Sequence, residues 1–376
     1  MFGREPMPSL ATFNANNFFL RYKFSKTYPG DMSKKSLIEA SEAAMMGYLP
    51  EKAFGKYSPK SFIIWEPERR KLAIKALKEP DGKLPDILCF QEVENMDAIR
   101  AFNENYLKSY YQYSLLIDGY DPRNIDVGVL STLPIEEIRS HIDESKNGKR
   151  IFSRDCLEVT LILPDGEKLI LFVNHLKSKL VIKKKNDTEA QFHNHIRESH
   201  EQRKLQAKTV SEYIEKRFKG QHDSALFAVV GDFNDTPCSP YVKPLIKSPR
   251  LINILQEYRA VDDTWTYFWR DKNRVSQIDY ILVSKALAQR IRKAAQNDGK
   301  KKPHIERKGL SYKTGKAGNI LPATMIHFEE DPVTSKSAGS TAPEKSKVQF
   351  DHKRFKEIEA EWKKNISDHC PVKVWF

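Results

Sequence analysis

Asp232 and Asn234 flank Phe233 in the stretch Ala228–Pro240, AVVGDFNDTPCSP. The apolar run Leu226–Val230 predicts a buried strand that stops at Gly231 and delivers both residues at its end. A carboxylate and an amide placed there can hold a metal-bound phosphate and the water that attacks it. The same pair also suits an Asx-type turn closing a strand, so its meaning depends on what else the chain carries.

The chain carries more of the same. Ser9–Leu20, SLATFNANNFFL, predicts a strand ending near Asn14. Asp86–Glu92, DILCFQE, predicts a buried strand with Gln91 and Glu92 at its end, where a carboxylate can ligate a hard cation such as Mg²⁺. Ile151–Val159, IFSRDCLEV, opens a strand and carries Arg154, whose guanidinium can clamp a phosphate bidentately. Leu169–Val173 predicts a strand followed by His175, with Lys177, Ser178 and Lys179 as further phosphate donors. Gln277–Ser284, QIDYILVS, places Asp279 among apolar neighbours, and a buried carboxylate needs a partner such as an imidazolium. Asp368 and His369 precede a short final strand in SDHCPVKV. Oxygen ligands without a Cys or His cluster suit Mg²⁺, and two histidines with carboxylate neighbours suit work on a phosphate.

Converging strands are the elements that can position such groups, because their ends present side chains from a rigid scaffold. Tyr110–Ile117 and Asp126–Leu130 predict further strands around the turn Asp118–Asn124, DGYDPRN. Helical patterns cover Ser36–Leu49, Trp65–Leu77 and Leu245–Leu255. Lys183–Arg217 reads as a charged helix with Leu205, Val210 and Ile214 as its apolar positions, and His193, His195 and His200 on it are spaced as a solvated face. Ile291–Lys364 shifts to Lys, Gly, Ser and Pro, with an apolar patch at Ile320–Ile326, and predicts a long basic insertion.

With 376 residues, the chain could make one large or two modest domains, and 63 Lys+Arg against 50 Asp+Glu leave a net charge of +13. That excess favours an anionic partner, nucleic acid first and an anionic membrane surface second. The four cysteines, Cys89, Cys156, Cys238 and Cys370, form no CxxC pair and predict free thiols. No apolar run approaches the ~18 residues of a membrane span. Met1–Pro8 lacks the apolar core of a signal peptide, so the expected compartment is the cytoplasm.

In order, TFNANN at Thr12–Asn17, QE at Gln91–Glu92, FSRD at Phe152–Asp155, NHLKS at Asn174–Ser178, GDFN at Gly231–Asn234, IDYILVS at Ile278–Ser284 and SDH at Ser367–His369 resemble the endonuclease/exonuclease/phosphatase superfamily. The resemblance implies a single α/β domain over 1–376, a four-layered α/β sandwich of two face-to-face sheets with helices outside. It also implies Asn14, Glu92 and Asp368 as metal ligands, for Mg²⁺ with Mn²⁺ as a substitute. Asp232 would orient or deprotonate the water, Asn234 would hold the water or the phosphate, and His369 braced by Asp279 would be general base or transition-state donor. Arg154 and His175 would hold the scissile phosphate. Relative to compact members, the chain carries insertions at about 22–84 and 293–364.

The expected activity is a Mg²⁺-dependent phosphodiesterase, an endonuclease on DNA foremost, with DNA as the favoured partner. The alternatives are a phosphodiesterase or phosphatase on a lipid or small phosphate ester, and a catalytically silent nucleic-acid-binding module.

Overall fold

The computed structural model describes residues 7–18, 73–79, 81–269, 274–307 and 367–376. In chain order the strands are β1 (Ser9–Phe18), β2 (Ile87–Val93), β3 (Tyr113–Leu116), β4 (Asp126–Ser131), β5 (Ile135–Arg139), β6 (Ser145–Lys146), β7 (Lys149–Arg150), β8 (Cys156–Ile162), β9 (Lys168–His175), β10 (Leu226–Asp232), β11 (Ile252–Asn253), β12 (Tyr267–Trp269), β13 (Arg274–Ser276), β14 (Asp279–Val283), β15 (His304–Ile305) and β16 (Val372–Trp375). The helices are α1 (Met96–Tyr106), α2 (Glu189–Arg217), α3 (Lys243–Ile246), α4 (Ile254–Tyr258) and α5 (Lys285–Asn297).

Two six-stranded sheets form, ordered β15-β16-β1-β2-β4-β3 and β11-β14-β10-β9-β8-β5. Their centres share one pattern. Along β4-β2-β1-β16 the pairings run antiparallel, parallel, antiparallel. Along β8-β9-β10-β14 they run the same way. β1 and β2 pack across β10, β2 and β4 across β9, and β16 against β14.

Alternation within the strands builds this layering. In β9 and β10, Leu169, Leu171, Val173, Ala228 and Val230 face the core between the sheets. Their neighbours Ile170, Phe172, Phe227 and Val229 face the opposite way, onto Val210 and Ile214 of α2. Strands buried on both faces read as near-continuous apolar runs, which is why these two were legible. α1 starts at Asn95, whose side chain accepts the Ala98 N–H at 2.9 Å. α2 starts with a Thr188–Gln191 capping box.

Several expected bounds shift. Leu245–Leu255 is not one helix: Ser248–Pro249 breaks it into α3, the short β11 and α4. The strand expected at Ile151 begins at Cys156, so Arg154 lies in the loop before it. Lys293–Arg307, within the expected basic insertion, is structured: α5 runs to Asn297 and β15 pairs with β16. Of the other expected insertion, 73–77 is helical with Ala73, Ala76 and Leu77 buried. Ser36–Leu49 and Ile320–Ile326 lie outside the described residues. All four cysteines are free, and only Cys238 is exposed.

Candidate active site

The shared strand pattern brings matching ends of the two sheets together at one edge. Asn14, on β1, donates from Nδ2 to Oδ2 of Asp232 at the end of β10, at 2.9 Å. Glu92, near the end of β2, lies 3.8 Å from Nε2 of His175 at the end of β9. His369, just before β16, meets Asp279 at the start of β14 through Nδ1 at 2.9 Å.

Local backbone features aim these groups. The register of β2 against both neighbours shifts between Gln91 and Val93, or between Asn14 and Phe18 on β1, a bulge that turns side chains off the sheet's regular alternation. Glu92 sits there at φ 60°, a left-handed conformation that a non-glycine residue holds only when its surroundings over-determine it. Gly231, at φ 127°, lets β10 pass close to β9: a Cβ there would fall 1.9 Å from the Asn174 carbonyl oxygen.

Asp232 is the focus. Its Oδ1 accepts the Asn234 N–H at 2.7 Å, and its Oδ2 accepts Asn234 Nδ2 at 3.1 Å besides Asn14. The same Oδ2 lies 3.4 Å from His175 Nε2 and 3.9 Å from His369 Nε2. Asn234 also donates to the Leu176 carbonyl at 3.0 Å, fixing its amide between the two loops.

The two histidines differ in charge. Burial opposes protonation of His369, but the Asp279 and Asp232 carboxylates outweigh it and raise its pKa to about 10. His369 is therefore an imidazolium at neutral pH. Burial and the Arg154 guanidinium push His175 the other way, well below its ordinary value. Arg154 Nη1 donates to His175 Nε2 at 2.7 Å, which requires the neutral ring with its proton on Nδ1. Arg154 is itself buried, lies 3.5 Å from Asp121 through Nε, and donates to the Leu176 carbonyl at 3.2 Å.

For a cation, Asn14, Glu92 and Asp368 would offer oxygen donors, the Asn14 amide oxygen being the one that also accepts the Asn16 N–H at 2.9 Å. Burial, opposed by the His369 charge and aided by those of Glu92 and Asp232, raises the Asp368 carboxyl to about 6. Such crowding of carboxylates is what a divalent cation relieves, so the residues present fit Mg²⁺. Asp232, Asp279 and His369 also bring ligand atoms within 4.8 Å of one another. Asp279 is already committed, however, to the His369 imidazole and to the Thr266 hydroxyl, which donates to it at 2.7 Å. Asp232 stands 3.9 Å from His369 Nε2, beyond hydrogen-bond reach, so the bonded unit here is Thr266–Asp279–His369.

All the site residues expected from the sequence thus stand at this edge. Three neighbours gave no signal of their own. Thr266 also accepts the Asp279 N–H at 3.0 Å, Tyr267 lays its ring 4.8 Å from that of His369, and Asp121 braces Arg154. Asp121 lies in the turn Asp118–Asn124, and Thr266 and Tyr267 lie in the aromatic-rich stretch Asp262–Trp269, DDTWTYFW, but neither stretch assigns them a role.

The profile of the Endonuclease/Exonuclease/phosphatase family matches residues 65–297. The chain belongs to that family. No curated protein matches the sequence. Among solved structures, truncated TDP2 from Caenorhabditis elegans is similar at 13% identity and a TM-score of 0.48, covering 98% of this chain and 97% of that one. Beta toxin from Staphylococcus aureus is similar at 15% and 0.47, over 98% and 99% of the two chains. The human Nocturnin catalytic domain with bound sulfate anion is similar at 16% and 0.45, over 81% and 86%. The family match spans Glu92, Arg154, His175, Asp232, Asn234 and Asp279, while Asn14, Asp368 and His369 join the site from outside it through β1 and the segment before β16.

Proposed function

We propose that this family member is a divalent-metal-dependent phosphodiesterase that hydrolyses nucleic acid, DNA foremost. The observation that carries the reading is the convergence of Asn14, Asn234, His175 and His369 on the single carboxylate of Asp232. Asn14, Glu92 and Asp368 would hold Mg²⁺, or Mn²⁺ in its place. When bound, the cation supplies Lewis-acid polarisation of a phosphoryl oxygen.

The remaining work falls to the chain's own groups. Asp232, kept in place by N–H donors, orients the attacking water and accepts its proton. Asn234 holds that water or the phosphate. His369, charged and tethered by Asp279, serves as a donor to the developing oxyanion and not as the base. Arg154 supplies the buried positive charge for the scissile phosphate, and neutral His175 fixes its guanidinium.

Nucleic acid is supported by the net charge of +13 and by Arg123, Lys177 and Lys179, which lie on the loops around Arg154 and His175. One observation favours a second reading, a phosphodiester at a lipid surface. Leu180 and Ile182 are 70% and 77% exposed on the loop after His175, between Lys179 and Lys183.

The test is a substrate panel with Mg²⁺ and with chelator: plasmid DNA, single-stranded DNA, RNA, an abasic duplex and sphingomyelin vesicles. Metal-dependent cleavage of a nucleic acid, absent on vesicles, is expected. Cleavage of the vesicles alone would move the protein to the second reading, and activity in excess chelator would remove the metal from either.

A further inference from the structure

The buried face of α2 changes character halfway along. Its later half presents Ala207, Val210 and Ile214 to the second sheet. Its earlier half has Ser199, Gln202, Arg203 and Gln206 at the i, i+3, i+4, i+7 spacing that ordinarily carries the apolar stripe. Ser199, Arg203 and Gln206 are as buried as the apolar residues that follow them.

The worth of an ion pair alone does not account for this stripe. Arg203 and Asp235 form an ion pair with both side chains at 0% exposure, at 2.8 Å, and buried pairs are often matched or bettered by apolar side chains of similar volume. Among the described residues, Arg203 Nη2 is also buried without a hydrogen-bond partner, though the guanidinium faces the Tyr241 ring at 5.7 Å.

What the stripe does is hold loops. Arg203 donates through Nη1 to the Lys177 carbonyl at 2.8 Å and through Nε to Asp235. One guanidinium therefore bridges the loop after His175 and the loop after Asp232 and Asn234. Gln206 accepts the Lys177 N–H at 2.8 Å and donates to the Ile151 carbonyl at 3.0 Å. Gln202 donates to that same carbonyl at 2.6 Å, three residues before Arg154. Ser199 donates to the Ser178 carbonyl at 2.6 Å. The Asp235 carbonyl in turn accepts the hydroxyl of Tyr280, the residue next to Asp279.

We infer that Arg203 and Gln206 are positioning residues: the polar stripe of α2 sets the mutual placement of Arg154, His175, Asp232 and Asn234. The inference rests on the phosphodiesterase reading of that site. Neither residue touches the reacting groups, and both act through the peptide segments that carry them.

The test uses the full chain with Arg203→Met and Asp235→Leu together, which removes the ion pair and strands no buried charge. Lys179, the other partner of Asp235, is 44% exposed and can turn to water. Gln206→Met is the second, uncharged variant, and Arg203→Lys the conservative one. The readouts are melting temperature, kcat and KM for a bis-nitrophenyl phosphodiester with Mg²⁺, and amide hydrogen exchange over residues 175–178 and 232–235. We expect melting close to wild type, KM little changed, and kcat lower by about 10²-fold, the scale of a misplacement near 1 Å. Exchange should quicken in those loops only, and Arg203→Lys should recover part of kcat. Wild-type kcat in the folded variants overturns the inference, as does activity lost only in step with folded protein. If the wild type leaves the ester intact, the phosphodiesterase reading fails instead, and the exchange data alone decide whether the stripe holds the loops.

Discussion

Asn14 and Asp232 are 218 residues apart in the chain, yet the Asn14 amide donates to the Asp232 carboxylate at 2.9 Å, both side chains buried. This hydrogen bond spans the two sheets. It fixes the Asp232 oxygen that also faces both histidines.

Asn14→Asp keeps the volume and replaces the donor with a second carboxylate opposite the first. We expect kcat to fall by about 10²-fold or more, on the scale of a lost positioned acid–base group. Asn14→Ser, which keeps a hydroxyl donor, should lose less. Steady-state kinetics on the small ester with Mg²⁺ checks both.

Glu92→Gln removes one anionic group from the proposed cation site without changing shape. The Mg²⁺ concentration for half-maximal rate should rise by at least about 10-fold, with the maximal rate partly recovered at saturating metal. A metal titration of activity decides. An unchanged midpoint would place the cation elsewhere.

Gly231→Ala should be among the most damaging single-methyl additions. Its Cβ would overlap the Asn174 carbonyl, which is backbone in the paired strand and cannot swing aside, and its φ of 127° strains any other residue. We expect a loss of about 3 kcal/mol or more in urea unfolding, without a change in the m-value.

Lys373, on β16, is buried with Nζ donating to the Lys78 carbonyl at 2.6 Å, and burial lowers its pKa to about 8 against the pull of Glu306 and Glu79. In the unfolded chain the same amine titrates near ~10.4. Between those values the unfolded state binds more protons, so stability rises with pH across that window. Below about 8 both states are charged and the burial penalty stands in full. Lys373→Met should remove this slope, leaving a wild-type-minus-variant difference that grows by about 2 kcal/mol from pH 8 to 10.5. Denaturant unfolding across that range measures it, and parallel curves would refute the assignment.

The legible part of the site was the part written along single strands. Leu226–Val230 announces a buried strand, so Asp232 at its end could be placed without tertiary information, and the same holds for Glu92 and His175. What was hidden is carried by contacts between distant segments. Thr266 sits outside any periodic run, and its role exists only because β12 brings it against Asp279. Arg203 and Gln206 were masked by their helix, whose many charges predict a solvated face, and no local pattern separates a buried arginine from an exposed one. The split of Leu245–Leu255 was a misjudged balance, since its apolar periodicity outweighed the break at Ser248–Pro249.

The matching antiparallel–parallel–antiparallel centres of the two sheets carry a mechanical consequence. Each sheet holds one member of every pair at the edge: Asn14 faces Asp232, Glu92 faces His175, and His369 faces Asp279. A slip of one sheet over the other by a single residue, about 3.3 Å, would part all three together while leaving every strand hydrogen bond intact. On the proposed function, turnover would be a vernier for the alignment of the two layers. On gentle heating or mild acid it should vanish before the far-ultraviolet signature of the strands begins to fade.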